Sequence, residues 1–355
     1  MTSAKHAHVV GLGLIGASLA LALRDAHWRV TGDDLDPDVV ELALATGVIV
    51  SSTPEPDVQL IAIATPAGVV AEVALDYLAR FDDPALIVTD VAGVKGAIVR
   101  DVTASRFVGG HPMAGSELKG LRGARADLFQ SCTWVLTPTD STPADVYGRL
   151  HSYLRDIGAN VVAVSSADHD RLVALASHVP HLLAGALMNQ AADAAREDAV
   201  LLQLAAGGFR DMTRIAAGDP AIWPDILFEN REAVSASLVA LEERLGALRM
   251  AVQTRDRAAL EESLTSASTA RRQLPGRALK SEDMAYLRVL IADRPGSLAH
   301  VTMTASEMLV NIYDIEIAHA IEGNKGTLLL AVDAQQAERF MEALRTANFG
   351  VVREQ

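Results

Sequence analysis

A short glycine-rich loop near the start of the chain restricts the possible folds more than any other stretch. Residues 8–10 read as a strand, the loop GLGLIG follows, and residues 17–24 have the composition of a helix. In such a loop the first glycine permits a tight turn, the second lets a pyrophosphate approach the backbone, and the third lets the helix pack on the strand. The free N–H groups at the start of the helix bind phosphate. The loop therefore predicts a doubly wound α/β domain with a dinucleotide on Gly11, Leu12, Gly13, Leu14, Ile15 and Gly16.

Acidic residues follow the second predicted strand. Residues 28–32 read as that strand, Asp33 and Asp34 come directly after it, and Asp36 is close behind. A carboxylate at this position hydrogen-bonds the hydroxyls of the adenosine ribose. Neighbouring carboxylates would repel the additional phosphate of NADP, so we expect Asp33 and Asp34 to select NAD.

Strands and helices keep alternating through a first domain, residues 1–166, as a sheet of parallel strands requires. Residues 58–64 are an unbroken apolar run of the kind that is buried between two helical layers. Thr65 and Pro66 end this run at the carboxyl edge of the sheet, where such folds bind ligands, and we expect both to contact the cofactor. Further strands are predicted at residues 48–50, 86–90, 107–108, 133–137 and 160–164.

One histidine lies between glycine and proline in the segment GGHPMAGSE, residues 109–117. The segment follows the apolar pair Phe107 and Val108, so we expect His111 on a turn at the end of a strand. The unperturbed pKa of histidine is near neutrality, which suits proton transfer. His111 is a candidate general base, and a turn in which the imidazole only bonds backbone is the alternative.

The pattern changes to helices alone in a second domain, residues 167–280. Residues 168–195 predict one long helix rich in Ala and Leu, which Pro180 should kink because proline lacks the N–H that the helix needs. The kink would place freed backbone groups and two histidines, His178 and His181, on one side next to Ser177, which suits a polar pocket. Two histidines whose hydrogen bonds are satisfied within the core are the alternative.

An arginine follows a pair of glycines later in this domain. Gly207 and Gly208 interrupt the helical pattern, and an arginine such as Arg214 beside the interruption suits bidentate capture of a carboxylate. A surface ion pair is the alternative. The amphipathic patterns at 226–252 and 256–274 predict long helices, which usually pair with another subunit after a nucleotide-binding domain. We therefore expect a homodimer.

The tail, residues 281–355, predicts the order strand, helix, strand, strand, helix, strand, a ferredoxin-like split unit. It resembles an ACT domain, a module that commonly binds an amino acid at a paired interface. Asp293, Pro295 and Gly296 match the D-x-P-G turn before the first helix of that module, and Asn311 follows the helix. The resemblance implies a regulatory site at these residues, and a plain dimerisation module is the alternative.

Composition excludes several classes of partner. The 355 residues carry a net charge of −14, which argues against nucleic acid and membrane as partners. An anionic small substrate remains compatible, because a few convergent cations make a pocket locally positive. Cys132 is the single cysteine, no signal peptide is evident, and no uncharged apolar run reaches about 18 residues. We expect a cytoplasmic protein with no membrane span and no bound metal.

Six motifs occur in an order that is specific to one family. They are GLGLIG, TDVAGVKG, GGHPMAGSE, SHVPH, GGFRDMTRIA and DPAIW. With them the chain resembles the TyrA family, the prephenate and arogenate dehydrogenases of tyrosine synthesis, over nearly its whole length. The resemblance implies that NAD⁺ takes a hydride from the hydroxyl-bearing ring carbon of prephenate, coupled to decarboxylation, to give 4-hydroxyphenylpyruvate. We further expect tyrosine to be the effector of the tail.

The resemblance also implies roles for single residues. His111 matches the catalytic histidine that takes the proton of the 4-hydroxyl, and Arg214 matches the arginine that binds a substrate carboxylate. Asp90 and Lys95 match a strand–helix turn near the cofactor. The remaining matches to the pocket of this dicarboxylate substrate are Glu117, Ser177, His178, His181 and Trp223.

One position departs from the family pattern. Gly93 stands in TDVAGVKG where the family usually has serine, close to the catalytic histidine and the substrate hydroxyl. The departure leaves arogenate and a 4-amino analogue of prephenate open as substrates. A β-hydroxyacid dehydrogenase or imine reductase fits less well, because residues 168–193 contain no lysine. A non-catalytic sensor of NAD and an amino acid is the alternative from another class, against which His111 and Arg214 argue.

Overall fold

The computed structural model describes residues 5–115, 118–196, 200–201, 203–273, 284–292, 294, 296–319 and 325–353. The chain packs into two compact units, Met1–Glu243 and Arg244–Gln355. The expected division into three domains, at 166 and 280, stays a prediction.

The first unit is built on a seven-stranded sheet. Its strands are β1 (His6–Val10), β2 (Arg29–Asp33), β3 (Leu60–Ile63), β4 (Ile87–Asp90), β5 (Phe107–Pro112), β6 (Thr133–Thr137) and β7 (Asn160–Ala163). They lie in the order β2-β1-β3-β4-β5-β6-β7, with β1 to β5 parallel and β6 antiparallel to β5. Because β2 and β3 flank β1 on opposite sides, the crevice at the carboxyl ends of β1 and β3 is the ligand-binding position of doubly wound folds. The expected doubly wound domain is confirmed.

Helices cover both faces of this sheet. They are α1 (Leu14–Asp25), α2 (Pro37–Ala45), α3 (Val70–Arg80), α4 (Gly96–Asp101) and α5 (Ala144–Asp156). Successive residues of a strand point to opposite faces. Leu60 and Ala62 of β3 therefore join the core beneath α1 and α5, whereas Ile61 and Ile63 join the core beneath α3 and α4. Burial on both sides explains the unbroken apolar run.

Two strand predictions differ from the structure. Residues 48–50 form no strand, although the N–H of Val50 donates to the oxygen of Val30 at the outer edge of β2. His111 lies within β5, opposite Val135 of β6, and not on a turn after the strand. The antiparallel partner β6 extends β5 through Gly109 and Gly110, which sequence reading assigned to the turn.

The long helix expected after the sheet is interrupted by a π-turn. Helix α6 (Ser166–Val173) leads into the π-turn Ala174–His178, and α7 (Val179–Ala195) follows with Pro180 as its second residue. In a regular helix the N–H of residue 180 would donate to the carbonyl of Ala176, but Pro180 has no N–H. Ala176 lies in the π-turn, where hydrogen bonds span five residues. The expected kink therefore takes the form of a wider turn. Further helices are α8 (Gly207–Thr213), α9 (Trp223–Glu229), α10 (Arg231–Thr254) and α11 (Arg257–Arg272).

The segment Ser166–Ala195 is, by length and composition alone, apolar enough to cross a membrane. It nevertheless carries His169, Asp170 and His178, which are buried in the first unit. Asp170 accepts hydrogen bonds from the backbone of the turn before α4, and His169 contacts β5. These contacts are those of a helix packed against its own domain.

The second unit contains a four-stranded antiparallel sheet in the order β11-β8-β10-β9, with β8 (Met284–Ala292), β9 (Ile312–His319), β10 (Lys325–Asp333) and β11 (Gly350–Arg353). Helices α12 (Ser297–Glu307) and α13 (Ala334–Thr346) cover one face through residues such as Val301 and Phe340. The expected order of strands and helices is observed. Asp293 and Pro295 lie outside the described residues. Gly296 precedes α12 in the left-handed conformation.

Candidate functional site

The glycine-rich loop has the geometry that its sequence predicts. Gly11 has a φ of 91°, and a Cβ atom there would lie 2.6 Å from the oxygen of Ala64. A Cβ atom on Gly16 would lie 1.9 Å from the oxygen of Gly11. A side chain at either position would clash with backbone atoms, so both positions require glycine. A Cβ atom on Gly13 would have no atom of the described residues within 4 Å, so the backbone at this point is open to a bound group.

The start of α1 is suited to hold a pyrophosphate. Gly13 is the N-cap and no side chain caps the helix, which leaves its first N–H groups available to an anion. On the adjacent strand end, Oγ1 of Thr65 is buried and has no hydrogen-bond partner among the described residues. Pro66 follows and is exposed. The open glycine, the uncapped helix and the unpartnered hydroxyl together fit a dinucleotide.

The two acids at the end of β2 differ in their surroundings. Oδ2 of Asp34 accepts the N–H of Leu12 at 2.7 Å, so this carboxylate supports the glycine-rich loop and stays partly exposed beside it. Oδ2 of Asp33 accepts the hydroxyl of Tyr77 at 3.0 Å, whereas its buried Oδ1 has no hydrogen-bond partner among the described residues and lies 3.7 Å from Nε2 of His8. Burial and the charge of Asp33 raise the pKa of Tyr77. Asp34 is accordingly the better placed of the two to meet a ribose.

His111 belongs to a row of three hydrogen-bonded groups. Its Nδ1 lies 2.8 Å from Nε2 of His169, and Nδ1 of His169 lies 2.8 Å from Oδ1 of Asp170. The carboxylate can only accept, so His169 donates from Nδ1 and, when neutral, accepts at Nε2. His111 must then donate from Nδ1. This leaves a lone pair on Nε2 of His111, as a general base requires.

The electrostatic environment keeps His111 neutral. Burial lowers its pKa well below the ordinary value, and the positive charges that His169, Lys95 and His178 can carry act in the same direction. For Asp170, burial raises the pKa, but the hydrogen bond from His169 and those from the N–H groups of Lys95 and Gly96 outweigh it and hold the pKa below its ordinary value. The anchor of the row is therefore a carboxylate and its end is a neutral imidazole.

Asp90 and Lys95 form a fully buried ion pair beneath this row. Asp90 also accepts the N–H of Ala92 at 2.9 Å and that of Gly110 at 3.1 Å, which ties β4 to the turn and to β5. Burial lowers the pKa of Lys95, and Asp90 opposes this effect. The resemblance implied that both residues lie near the cofactor, whereas their buried side chains hold the turn and offer no exposed atom.

Gly93 lies beside the reactive edge of His111. A Cβ atom on Gly93 would be 3.8 Å from Nε2 and 3.9 Å from Cε1 of His111, with Cδ1 of Ile226 at 4.0 Å. These are ordinary contact distances. Gly93 is not among the glycines of the described chain that have a positive φ, so its backbone lies outside the left-handed region. Gly93 therefore leaves a space next to the lone pair on Nε2 of His111.

Three residues expected in the substrate pocket are brought together. His181 stacks on Trp223 with ring centroids 3.6 Å apart, and His178 meets Trp223 edge-on at 6.3 Å. Burial lowers the pKa of both histidines, and the charge of Asp170 opposes this effect at His178. Ser177, in the π-turn, is half-buried.

The turn that contains Arg214 lies against this pocket. Arg214 is exposed and begins the 3₁₀ turn Arg214–Ala217 directly after α8. A Cβ atom on Gly218, which ends the turn, would lie 3.6 Å from Cε1 of His181. Glu117 lies outside the described residues. Two positions later, Lys119 pairs with Asp219 at 2.8 Å, which connects the loop after β5 to the same turn.

Three buried polar residues of the site were missed from the sequence. They are His169, Asp170 and Asn230. Nδ2 of Asn230 lies 2.8 Å from the backbone oxygen of Asp170 and 3.2 Å from Nδ1 of His178. The available signal was the pair His169-Asp170 in the first turn of the helix predicted at 168–195, because two polar residues that become buried need polar partners.

Two family models match the chain. The model of the prephenate dehydrogenase nucleotide-binding domain matches residues 19–163, and that of the prephenate dehydrogenase dimerization domain matches residues 165–266. A prephenate dehydrogenase of Bacillus subtilis is 32% identical, over 94% of this chain and 95% of its own length.

Solved structures agree with these matches. The prephenate dehydrogenase of Aquifex aeolicus, in complex with hydroxyphenyl propionate and NAD⁺, has a TM-score of 0.71 at 29% identity and covers 77% of this chain and 99% of its own. The arogenate dehydrogenase of Synechocystis has a TM-score of 0.66 at 30% identity and covers 76% of this chain and all of its own. The glycine-rich loop, the neutral imidazole of His111 and these similarities lead to one assignment: the chain belongs to the prephenate dehydrogenase family of NAD-dependent oxidoreductases.

Proposed function

We propose that the chain oxidises prephenate with NAD⁺ and releases carbon dioxide and 4-hydroxyphenylpyruvate. The observation that carries this proposal is the row Asp170–His169–His111, which ends in a lone pair beside the space at Gly93. A neutral, buried imidazole with a free acceptor nitrogen is suited to take the proton of a hydroxyl group. The similarity to a Bacillus prephenate dehydrogenase over nearly the whole chain supports the same substrate.

His111 moves one proton in this reaction. As a hydride leaves the ring carbon that bears the hydroxyl, Nε2 of His111 takes the hydroxyl proton and a carbonyl forms. The bond between the ring and its carboxylate then breaks, its electron pair completes the aromatic ring, and the oxygen takes the proton back. Asp170 and His169 hold the imidazole in the required tautomer.

The cofactor would lie on the glycine-rich loop. A bound NAD⁺ supplies the acceptor for the hydride. The first N–H groups of α1 would hold its pyrophosphate over Gly13, and the carboxylate of Asp34 would meet the ribose. Thr65 would donate its unpartnered hydroxyl. Asp90 and Lys95 act indirectly, by fixing the turn that carries Gly93.

The pocket residues would bind the two carboxylates of the substrate. Arg214 supplies a permanent charge at the turn against His181, and a guanidinium pairs with a carboxylate through two parallel hydrogen bonds. Trp223 fixes the rings of His178 and His181. Ser177 and Glu117 complete the proposed pocket.

The direct test is turnover by the purified chain. NAD⁺ is mixed with prephenate or with arogenate, and NADH is followed by absorbance. We expect the higher kcat/KM with prephenate. The similarity to the Synechocystis arogenate dehydrogenase supports arogenate as the second candidate, which the opposite ranking would select. A 4-amino analogue forms the third arm. Cofactor binding without turnover in any arm would point to a sensor.

We also propose that tyrosine regulates the enzyme through the tail. Its sheet and helices have the order of an ACT domain, Gly296 adopts the left-handed conformation before α12, and Asn311 is exposed after that helix. Calorimetry should detect tyrosine binding to the full chain. Deleting residues 282–355 should leave catalysis intact and remove the inhibition. Inhibition that persists and competes with prephenate would place tyrosine in the active site instead.

The assembly that we propose is a cytoplasmic homodimer. The match of residues 165–266 to a dimerization domain supports it, as do the exposed apolar side chains of Leu172, Leu175 and Val239 in that region. Light scattering on the purified chain should give twice the mass of one chain. A monomer at micromolar concentration would contradict the assignment.

A further inference from the structure

Asn230 connects the histidine of the substrate pocket to the helix that carries Asp170. The residue follows α9 and its side chain is buried. One of its amide atoms lies 2.8 Å from the backbone oxygen of Asp170. A carbonyl oxygen accepts only, so that atom is the amide nitrogen and the orientation of the amide is determined. The same nitrogen lies 3.2 Å from Nδ1 of His178 and has a second hydrogen to donate.

This contact determines which nitrogen of His178 carries hydrogen. Because Nδ1 accepts from the amide, a neutral His178 has its hydrogen on Nε2. Burial lowers the pKa of His178, which favours the neutral ring. His111 has the opposite arrangement, with hydrogen on Nδ1 and a lone pair on Nε2. In their neutral forms, His111 therefore presents an acceptor at Nε2, whereas His178 presents a donor at Nε2.

We propose that Asn230 is a positioning residue that holds His178 as an Nε2–H donor for a carboxylate or keto oxygen of the substrate. The inference rests on the proposed function, in which His178 belongs to the substrate pocket. A histidine with the reverse tautomer would turn a lone pair towards an anion, which costs a hydrogen bond and adds repulsion. Trp223 contacts the ring edge-on, and Asn230 supplies the hydrogen-bond donor that faces Nδ1.

The tautomer can be measured without turnover. Long-range proton–nitrogen spectra of the full chain labelled with ¹⁵N-histidine separate the two neutral tautomers, and the His178→Gln spectrum identifies the signals of His178. We expect the Nε2–H form from pH 6.5 to pH 8. The Nδ1–H form, or a doubly protonated ring, would overturn the proposal. Because this measurement uses no substrate, its result on the tautomer of His178 stands even if neither prephenate nor arogenate is turned over.

Asn230→Asp tests the connection to binding. A carboxylate at this position accepts from Nδ1 of His178, so a neutral ring carries its hydrogen on Nδ1 and turns a lone pair on Nε2 towards the substrate. We expect KM for prephenate to rise about tenfold, the value of one hydrogen bond, with a smaller change in kcat. The matched control is Asn160→Asp, because Asn160 is exposed on β7, outside the site. An unchanged KM in a folded Asn230→Asp protein would overturn the proposal.

A double-mutant cycle separates tautomer control from packing. Glutamine can place an N–H where Nε2 of histidine lies and needs no tautomer control, whereas asparagine is too short. We expect His178→Gln to raise KM less than His178→Asn. In the His178→Gln background, Asn230→Asp should change KM by less than about threefold. An equal effect of Asn230→Asp in both backgrounds would assign Asn230 a purely structural role and overturn the proposal.

Discussion

A Cβ atom on Gly93 would lie 3.8 Å from Nε2 of His111, the nitrogen that we assign as the base. The Cβ atom of a serine therefore meets only ordinary contacts at this position, and the φ angle of Gly93 imposes no strain on it. The space can accept the hydroxyl that the family usually places there.

The first prediction is that Gly93→Ser keeps or raises kcat/KM for prephenate, by up to about tenfold, because one hydrogen bond near the reacting oxygen is gained. The melting temperature should stay within about 2 °C. Gly68→Ser, at a position where a Cβ atom meets nothing within 4 Å, serves as the control. Lost activity at an unchanged melting temperature would indicate a substrate with a different group on ring carbon 4.

The second prediction concerns the acid limb of the pH profile. A general base acts in its unprotonated form, so kcat/KM falls as the pH drops through its pKa. Burial lowers the pKa of His111 well below the ordinary value of 6.5. We therefore expect kcat/KM to stay flat through pH 6.5 and to fall only in more acidic buffers. A half-maximal rate at pH 6.5 or above, with the fold verified by circular dichroism, would contradict the assignment.

Asp170→Asn should lower both kcat and stability. An amide cannot accept from His169, Lys95 and Gly96 together, so the row that orients His111 is disrupted. We expect kcat to fall about 10²-fold and unfolding to become easier by about 1–3 kcal/mol. Asp76→Asn, an exposed member of an i,i+4 pair, is the control.

The stability effect of Asp170→Asn has a defined pH dependence. The folded-state pKa of Asp170 is lowered, so its stabilising effect is fully present above the unfolded pKa of about 3.9 and is lost as the pH falls through the folded value. The difference in melting temperature between the two proteins should therefore shrink below about pH 4. A constant difference down to the most acidic buffer would argue against an ionised Asp170.

A fourth prediction separates chemistry from binding. His111→Asn removes the base and should lower kcat about 10²–10⁴-fold. Arg214→Ala removes a bidentate partner of a carboxylate and should mainly raise KM for the dicarboxylate. The rise should correspond to a loss of about 2–4 kcal/mol of binding free energy. Steady-state kinetics under conditions where chemistry limits the rate distinguish the two. The reverse pattern would exchange the roles of these residues.

The fifth prediction compares two glycines of the same loop. Gly13→Ala has room and should fold normally, but its methyl group occupies the space over which we place the pyrophosphate, so KM for NAD⁺ should rise. Gly16→Ala forces a Cβ atom to 1.9 Å from the oxygen of Gly11, so the fold itself should weaken. Thermal melts with and without NAD⁺ check both. Equal melting temperatures of the two variants without NAD⁺ would contradict this reading.

The features that could be predicted from sequence are those that neighbouring residues determine. The roles of Gly11, Gly13 and Gly16 follow from one loop between a strand and a helix, and the structure gives each the expected space. The run that ends at Thr65 predicted a strand buried on both faces, and its two cores are observed.

The features that could not be predicted depend on contacts between distant segments. His111 lies 58 positions from His169, so no local pattern indicates that one imidazole orients the other. Asn230 lies 52 positions from His178 in the same way. The glycines and the proline that flank His111 predict a turn, yet pairing with β6 extends β5 through Gly109 and Gly110.

The π-turn Ala174–His178 determines the angle between the two halves of the site. A regular α-helix advances by about 100° per residue, and a π-turn inserts one additional residue into the turn. Asp170 precedes this turn, whereas His178 and His181 follow it. A helix one residue shorter here would keep every side chain of the site and rotate the pocket histidines by about 100° away from the row that ends at His111. The spacing of this segment is thus as much a requirement of the active site as the identity of its residues.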